Sequence, residues 1–241
     1  MRHTEMRHAK VLRRYFVALT VFSSLLWQSD VLAETVAAMS AVKTAIKNLD
    51  TTNLDEDWYF TMEVLEEGEV KIIRSDPTRD PYERRQLLTL DGETPNNQYQ
   101  SAFYDKEVKR IDDIDPKASG YAHMVDIQTL QQVDNQDGYA TFTFLPRVKV
   151  LEGSRDGLSG TLLLNLSTQQ VEEIEIYNIE KLSPAFSVTL DTFRLQLYFG
   201  SQVGENLLQK LESHTVGKMG FFKSFDAIVV VEFSDYARAQ P

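Results

Sequence analysis

"GTLLLNLSTQQVEEIEIYN" occupies residues 160–178, and the period of its apolar side chains decides how the rest of the chain is read. Glu173 and Glu175 alternate with Ile174 and Ile176. A spacing of two sends successive side chains to opposite faces of an extended chain, so this is a strand with one wet and one apolar face. Thr168 and Gln169 separate it from the preceding apolar run at 160–167, which makes the pair a hairpin.

The same period recurs on both sides. "GYATFTFLPR" at 138–147 reads as a strand, as does "DIQTLQQV" at 126–133, with a turn cluster from Asp134 to Gly138 between them. A long strand from about Ser187 to Phe199 puts Phe193, Leu195, Leu197 and Phe199 on one face and Arg194, Gln196 and Tyr198 on the other. From Phe221 to Tyr236, the residues Phe225, Ala227, Val229, Val231 and Phe233 alternate inward. Residues 202–218 fit a helix and a strand equally well. Upstream, Trp58, Phe60, Met62 and Val64 alternate with Tyr59, Thr61 and Glu63, and Glu66 to Glu69 turns that strand into Val70 to Ile73.

Two segments have helical spacing. In 34–49, Val36, Met39, Val42, Ala45 and Ile46 recur at three and four residues, and residues 50–53 end the helix. Thr94-Pro95 has the form of an N-cap followed by proline at the first helical position, and Tyr99, Ala102, Phe103 and Val108 give a stripe running to about Arg110. Residues 111–120 are a polar connector.

Long strands with one apolar face cannot bury it alone; they need a sheet that curls, or helices laid over it. The expected fold is α+β: a curved antiparallel sheet, an open half-barrel, with the helices covering its concave face.

Residues 1–33 read as an export leader. Arg2, Arg7, Lys10, Arg13 and Arg14 form a basic start, Tyr15 to Trp27 an apolar run too short to span a bilayer, and Val31-Leu32-Ala33 a cleavage pattern. The expected mature chain is a single domain over 34–241, located in a periplasm and cleaved near Ala33-Glu34. The chain has no cysteine, so neither a disulfide nor a lipidated cysteine is available. Its net charge is −11, and loss of the leader makes it about −14. A surface so acidic repels phosphate, which argues against nucleic acid and against general adsorption to anionic membranes.

The chemistry-bearing motifs are sparse. "DPTRDPYERRQLLTLDGETP" at 76–95 is dense in charge. Its arginines could hold an anion, but in an acidic chain they are expected to pair with nearby acids while the prolines set corners. Ser40 and Lys43 have the S-x-x-K spacing without the companion motifs of a serine hydrolase. Beyond the leader the histidines are His123 and His214, with no G-x-S-x-G turn to present a nucleophile. The 134–138 cluster lacks a glutamate six residues past its glycine, where Phe144 stands, so it is not a calcium loop. No catalytic residue, metal ligand or cofactor is expected.

"GYATFTFLPR" followed by "GTLLLNLSTQQVEEIEIYN" resembles the central strands of the LolA/LolB-like superfamily of periplasmic lipoprotein carriers, in which a strand ending in leucine-proline-basic precedes a strand-turn-strand unit. The order upstream, a helix, a strand pair, a proline corner, a strand and an Asp-Gly turn, is similar too. The resemblance implies a half-barrel over an apolar cavity that binds acyl chains, and RseB-like sensors share the fold. Two features depart from it: a helix follows Asp91-Gly92 where the carriers continue in strand, and none of Arg79, Arg84 and Arg85 matches the arginine that ties down a carrier's lid.

The expected activity is therefore binding without catalysis: a carrier of an acyl chain, lipid or other amphiphile. Its cavity lining is taken from the apolar strand faces: Trp58, Phe60, Phe142, Phe144, Phe193 and Leu195. The alternative is a protein-interaction or sensor module whose core is filled by its own side chains, and a hydrolase ranks last. The expected partners are an amphiphile or another periplasmic or outer-membrane protein, with no nucleic acid and no lasting membrane span.

Overall fold

Alternation of apolar and polar residues is realised almost strand for strand. The computed structural model describes residues 34–49, 54–113, 120–220 and 223–239. The leader, residues 50–53 and most of the 111–120 connector lie outside them. The chain divides into two compact units, residues 1–41, of which 34–41 are described and helical, and residues 42–241.

The second unit is organised by one antiparallel sheet. Its strands are β1 (Trp58–Glu66), β2 (Glu69–Ser75), β3 (Arg85–Leu90), β4 (Gln131–Gln136), β5 (Tyr139–Phe144), β6 (Leu158–Asn165), β7 (Gln170–Asn178), β8 (Leu182–Ala185), β9 (Val188–Gln202), β10 (Glu205–Met219) and β11 (Lys223–Arg238). The order across the sheet is β3-β2-β1-β11-β10-β9-β7-β6-β5-β4, with β8 paired to β9 beside it. The last strand returns to lie against the first. Edges β3 and β4 are not joined, so the eleven-stranded sheet is open.

Among the described residues there are three α-helices. Helix α1 covers 34–49 and buries Ala38, Val42, Ala45, Ile46 and Leu49 at helical spacing. Helix α2 is the short Leu54–Asp57, and α3 is Asn97–Asp113. The cap of α3 differs from expectation. Asn96, not Thr94, accepts the Tyr99 amide at 3.1 Å, and Pro95 is buried ahead of the helix. Of its expected stripe Phe103 and Val108 are half-buried, whereas Tyr99 and Ala102 are exposed and Glu107 and Arg110 are half-buried in their place. Phe103 packs against the β1 core.

The region before β5 corrects a second expectation. A strand was expected over 126–133, but Ile127–Thr129 is a 3-10 turn and β4 begins only at Gln131. Asp126 is the cause: its carboxylate accepts the Gln128 amide, and its carbonyl accepts the Thr129 amide and hydroxyl. A short polar side chain that bonds the backbone two residues on competes with the strand ladder. The hairpin turn is correspondingly narrower than the 134–138 cluster. It rests on Asp137 and Gly138, both at positive φ (53° and 84°) as a two-residue turn of matching twist requires.

Residues 202–218 are not helical: Gln202 ends β9, Val203 and Gly204 turn the chain, and the rest is strand β10. A register shift between Leu208 and Lys210 leaves Gln209 unpaired, and the successive leucines Leu207 and Leu208 are both buried. A bulge of this kind breaks the alternation that would otherwise have marked a strand.

Candidate functional site

Directly paired residues of an antiparallel ladder share a face, so the registers define the inner surface. Buried Leu197 is opposite Leu211, Leu211 opposite Val231, and Val231 opposite Val64. One step along, Ile176 is opposite Leu195, Leu195 opposite Ser213, and Ser213 opposite Val229.

The six residues expected to line a cavity fall in three places on this face. Trp58 and Phe60 belong to a packed cluster with Met62, Ile73 and Leu207, ringed by Phe233, Tyr236 and Phe103. Phe142 and Phe144 sit six strands away on β5, fully buried, with the Phe144 ring over Gly160. None of these four is more than 4 % exposed, so each is held in solid packing. Phe193 is half-buried and packs against a second cluster, Leu151, Leu158, Leu182 and Leu190. Leu195 is half-buried between the two clusters.

Leu195 is not alone. Val64, Leu211, Val229 and Val231 are also half-buried, and together they form an aliphatic strip crossing β1, β11, β10 and β9. At a strand spacing of about 4.8 Å the strip is about 14 Å wide. At its β1–β2 end lies Lys71, whose ammonium is taken up by Glu66 at 2.8 Å and Glu69 at 3.5 Å.

Two polar knots stand beside this surface. Asp55 of α2 accepts both Nε and Nη2 of Arg85 on β3 and also Nη1 of Arg110 on α3, at 3.0 to 3.3 Å. Arg79 pairs with its neighbour Asp76 as expected, but Arg85 reaches an acid thirty residues away, and the nearest acid to Arg84 is Glu56 at 3.8 Å. The prolines do set corners: Pro81 opens a 3-10 turn whose first amide bonds Asp80. The second knot is Asp126, buried, which Arg147 and Arg155 both grip. Burial alone would raise its pKa, but hydrogen bonds from Arg155 and Arg147 outweigh that and hold the carboxyl below the ordinary aspartate range. Arg147 is the basic residue of Leu145-Pro146-Arg147, so that tripeptide fastens the strand end to the 126–129 turn.

Tyr121 and Tyr236 complete the surroundings. The Tyr121 ring meets the edge of Phe199 with centroids 5.7 Å apart. Tyr236 donates its hydroxyl to the Leu208 carbonyl and lies edge-on to Trp58. Burial pushes both phenols well above the ordinary tyrosine value. Asp55, Asp126 and the two tyrosines were not singled out from sequence. Only the acid run Asp55-Glu56-Asp57 ahead of a strand hinted at one of them.

The catalytic lookalikes are dispersed. Ser40 and Lys43 are both exposed on α1. His214 is on the outer face, 2.9 Å from Asp226. The outer face also carries an open groove of about 570 Å³ between β6, β7 and β9. Four of its five charges pair, Arg194 with Glu175 and Lys181 with Asp191. Among the described residues no three acids or histidines are grouped to hold a metal, and no helix is long and apolar enough to cross a membrane.

These features define an α+β protein built on an open eleven-stranded antiparallel sheet. No protein-family model, curated protein or solved structure matches the chain.

Proposed function

We propose that the protein is a non-enzymatic binding module of the periplasm that takes up an acyl chain, lipid or other amphiphile on its inner face, in a half-barrel of LolA/LolB-like type whose helices lie over the concave side. The observation that carries this is the half-buried aliphatic strip Val64, Val231, Leu211, Val229 and Leu195, which runs from the edge of the Trp58 cluster, against which Val64 and Val231 pack, across to β9. A chain laid along it would bury methylenes at about 0.8 kcal/mol each. The periplasmic location is supported by the basic, apolar and small-residue order of residues 1–33 and by the lack of cysteine. Native mass spectrometry of the purified protein should find an amphiphile that organic extraction removes, and Leu211→Glu should abolish its uptake. A bare mass in both forms would contradict the proposal.

A second reading has its own support. Trp58, Phe60, Phe142 and Phe144 are packed as tightly as any core, as expected of an interaction or sensor module that fills its own interior.

A further inference from the structure

One end of the sheet projects beyond the rest. Strand β1 pairs with β11 only from Val229 to Arg238, so Lys223 to Ile228 are bonded to β10 alone. Strand β7 likewise meets β9 only from Arg194 to Tyr198, and β8 covers the start of β9. The β8–β9 turn and the paired strand ends Met219 and Lys223 therefore stand about 20 Å past the last β1 pair, six residues at strand rise. The Gly220 amide bonds the Ser187 carbonyl at 2.7 Å and ties one tip to the other.

The tips have the wrong composition for a solvated end. Phe186 is as exposed as in an isolated extended chain (105 %), and Met219 is 54 % exposed. Acids make up 36 of the 241 residues, yet residues 182–190 carry no charge, and residues 215–225 carry Lys218 and Lys223 and no acid. Both lysines are exposed, and among the described residues neither is within ion-pair distance of an acid, although the charge of Lys218 reaches Asp191, which Lys181 already pairs. The root below is rigid: Leu182, Leu190, Phe193 and Phe225 pack together, and Phe225 lies against Gly217, where no Cβ would fit. Phe186 is thus held out by a packed base. Phe221 and Phe222, between Gly220 and Lys223 in sequence, lie outside the described residues and form no part of the site.

We propose that this projecting end docks on a lipid bilayer surface bearing anionic headgroups. An apolar side chain flanked by lysines suits the headgroup layer, where the ring enters the acyl boundary and the ammoniums meet phosphate. The strongly acidic remainder of the chain is repelled by the same surface, and that repulsion fixes the orientation. The docking stands whether or not the inner strip holds an amphiphile.

The absence of cysteine allows a single label. Ser187→Cys, carrying an environment-sensitive fluorophore, is compared in the full chain with Val203→Cys, an exposed turn position at the opposite end of β9. Vesicles of phosphatidylethanolamine with about one third phosphatidylglycerol should shift the label at 187 to the blue and leave that at 203 unchanged, and phosphatidylcholine vesicles should shift neither. Lys218→Gln with Lys223→Gln should weaken the response roughly 25-fold, about five-fold per lysine, and Phe186→Ser should weaken it further. Circular dichroism checks that these exposed changes leave the fold intact. No shift at 187, equal shifts at both positions, or a response indifferent to the lysines would overturn the proposal. A shift at 187 that grows with protein concentration in the absence of vesicles would overturn it too, by indicating self-association.

Discussion

A methyl group added at Gly160 tests whether the inner aromatic residues are packed or free to move. Gly160 on β6 pairs directly with Phe144 on β5. A Cβ there would lie 2.5 Å and 2.7 Å from two carbons of the ring, where carbon contacts need about 3.5–4.0 Å. The ring must retreat by roughly 1 Å, and Phe144 is 4 % exposed with buried Phe142, Leu162 and Ile176 around it on the ladder. Overpacking of this kind costs about 1–3 kcal/mol, and the lower chain entropy of alanine returns about 0.5–1 kcal/mol of it. Contacts this short put the overpacking at the upper end, about 2–3 kcal/mol, so Gly160→Ala should lose about 1–2.5 kcal/mol net in urea denaturation, with the slope unchanged. Phe144→Leu alone should also destabilise, through lost burial. The double variant should be no less stable than Phe144→Leu, since the methyl occupies space the ring gave up, and this non-additivity is the signature of direct contact. A Gly160→Ala variant within about 0.5 kcal/mol of the parent would mean that the ring swings into open space and that Phe144 lines a cavity after all.

Two further predictions concern the polar knots. Asp55→Ala removes the carboxylate shared by Arg85 and Arg110; it should cost about 1.5–3 kcal/mol and speed amide exchange in the second half of α3, and unchanged exchange there would show that the knot does not anchor the helix. Asp126→Asn should lower stability by about 1–2 kcal/mol near neutral pH. Because the folded carboxyl titrates below its unfolded value, the contribution of Asp126 is complete above about pH 4 and is lost as pH falls through the lowered folded value. The gap between parent and variant should close in acid, and a gap that stays constant down to the acid transition would contradict the assignment.

Strand positions were legible where one rule dominated. In β9 the period of two placed Phe193, Leu195, Leu197 and Phe199 on one face, and the ladder agrees. The period failed where a local feature overrode it. In β10 the successive leucines Leu207 and Leu208 are both buried, just ahead of the bulge at Gln209, and the backbone bonds of Asp126 turned an expected strand into a 3-10 turn. Asn96 took the cap from Thr94 because only the geometry of the first turn decides which of two polar residues reaches the free amide. The candidate site was legible as a face but not as a surface. Alternation marks Trp58, Phe144 and Leu195 alike as inward, and it carries no information on which of them another element covers. That depends on contacts such as Phe144 over Gly160 and Phe103 over the β1 cluster, which no spacing along one strand encodes. The Asp55 knot was hidden for a similar reason, as its partners are thirty and fifty-five residues away.

Whether an apolar chain lies on the half-buried strip is tested most directly by methyl NMR with a nitroxide-labelled fatty acid. Relaxation enhancement should fall on the methyls of Val64, Leu195, Leu211, Val229 and Val231 and spare those of Leu164 and Val171, buried on β6 and β7. Enhancement spread evenly over surface methyls, or none at the strip with the fatty acid in excess, would contradict it.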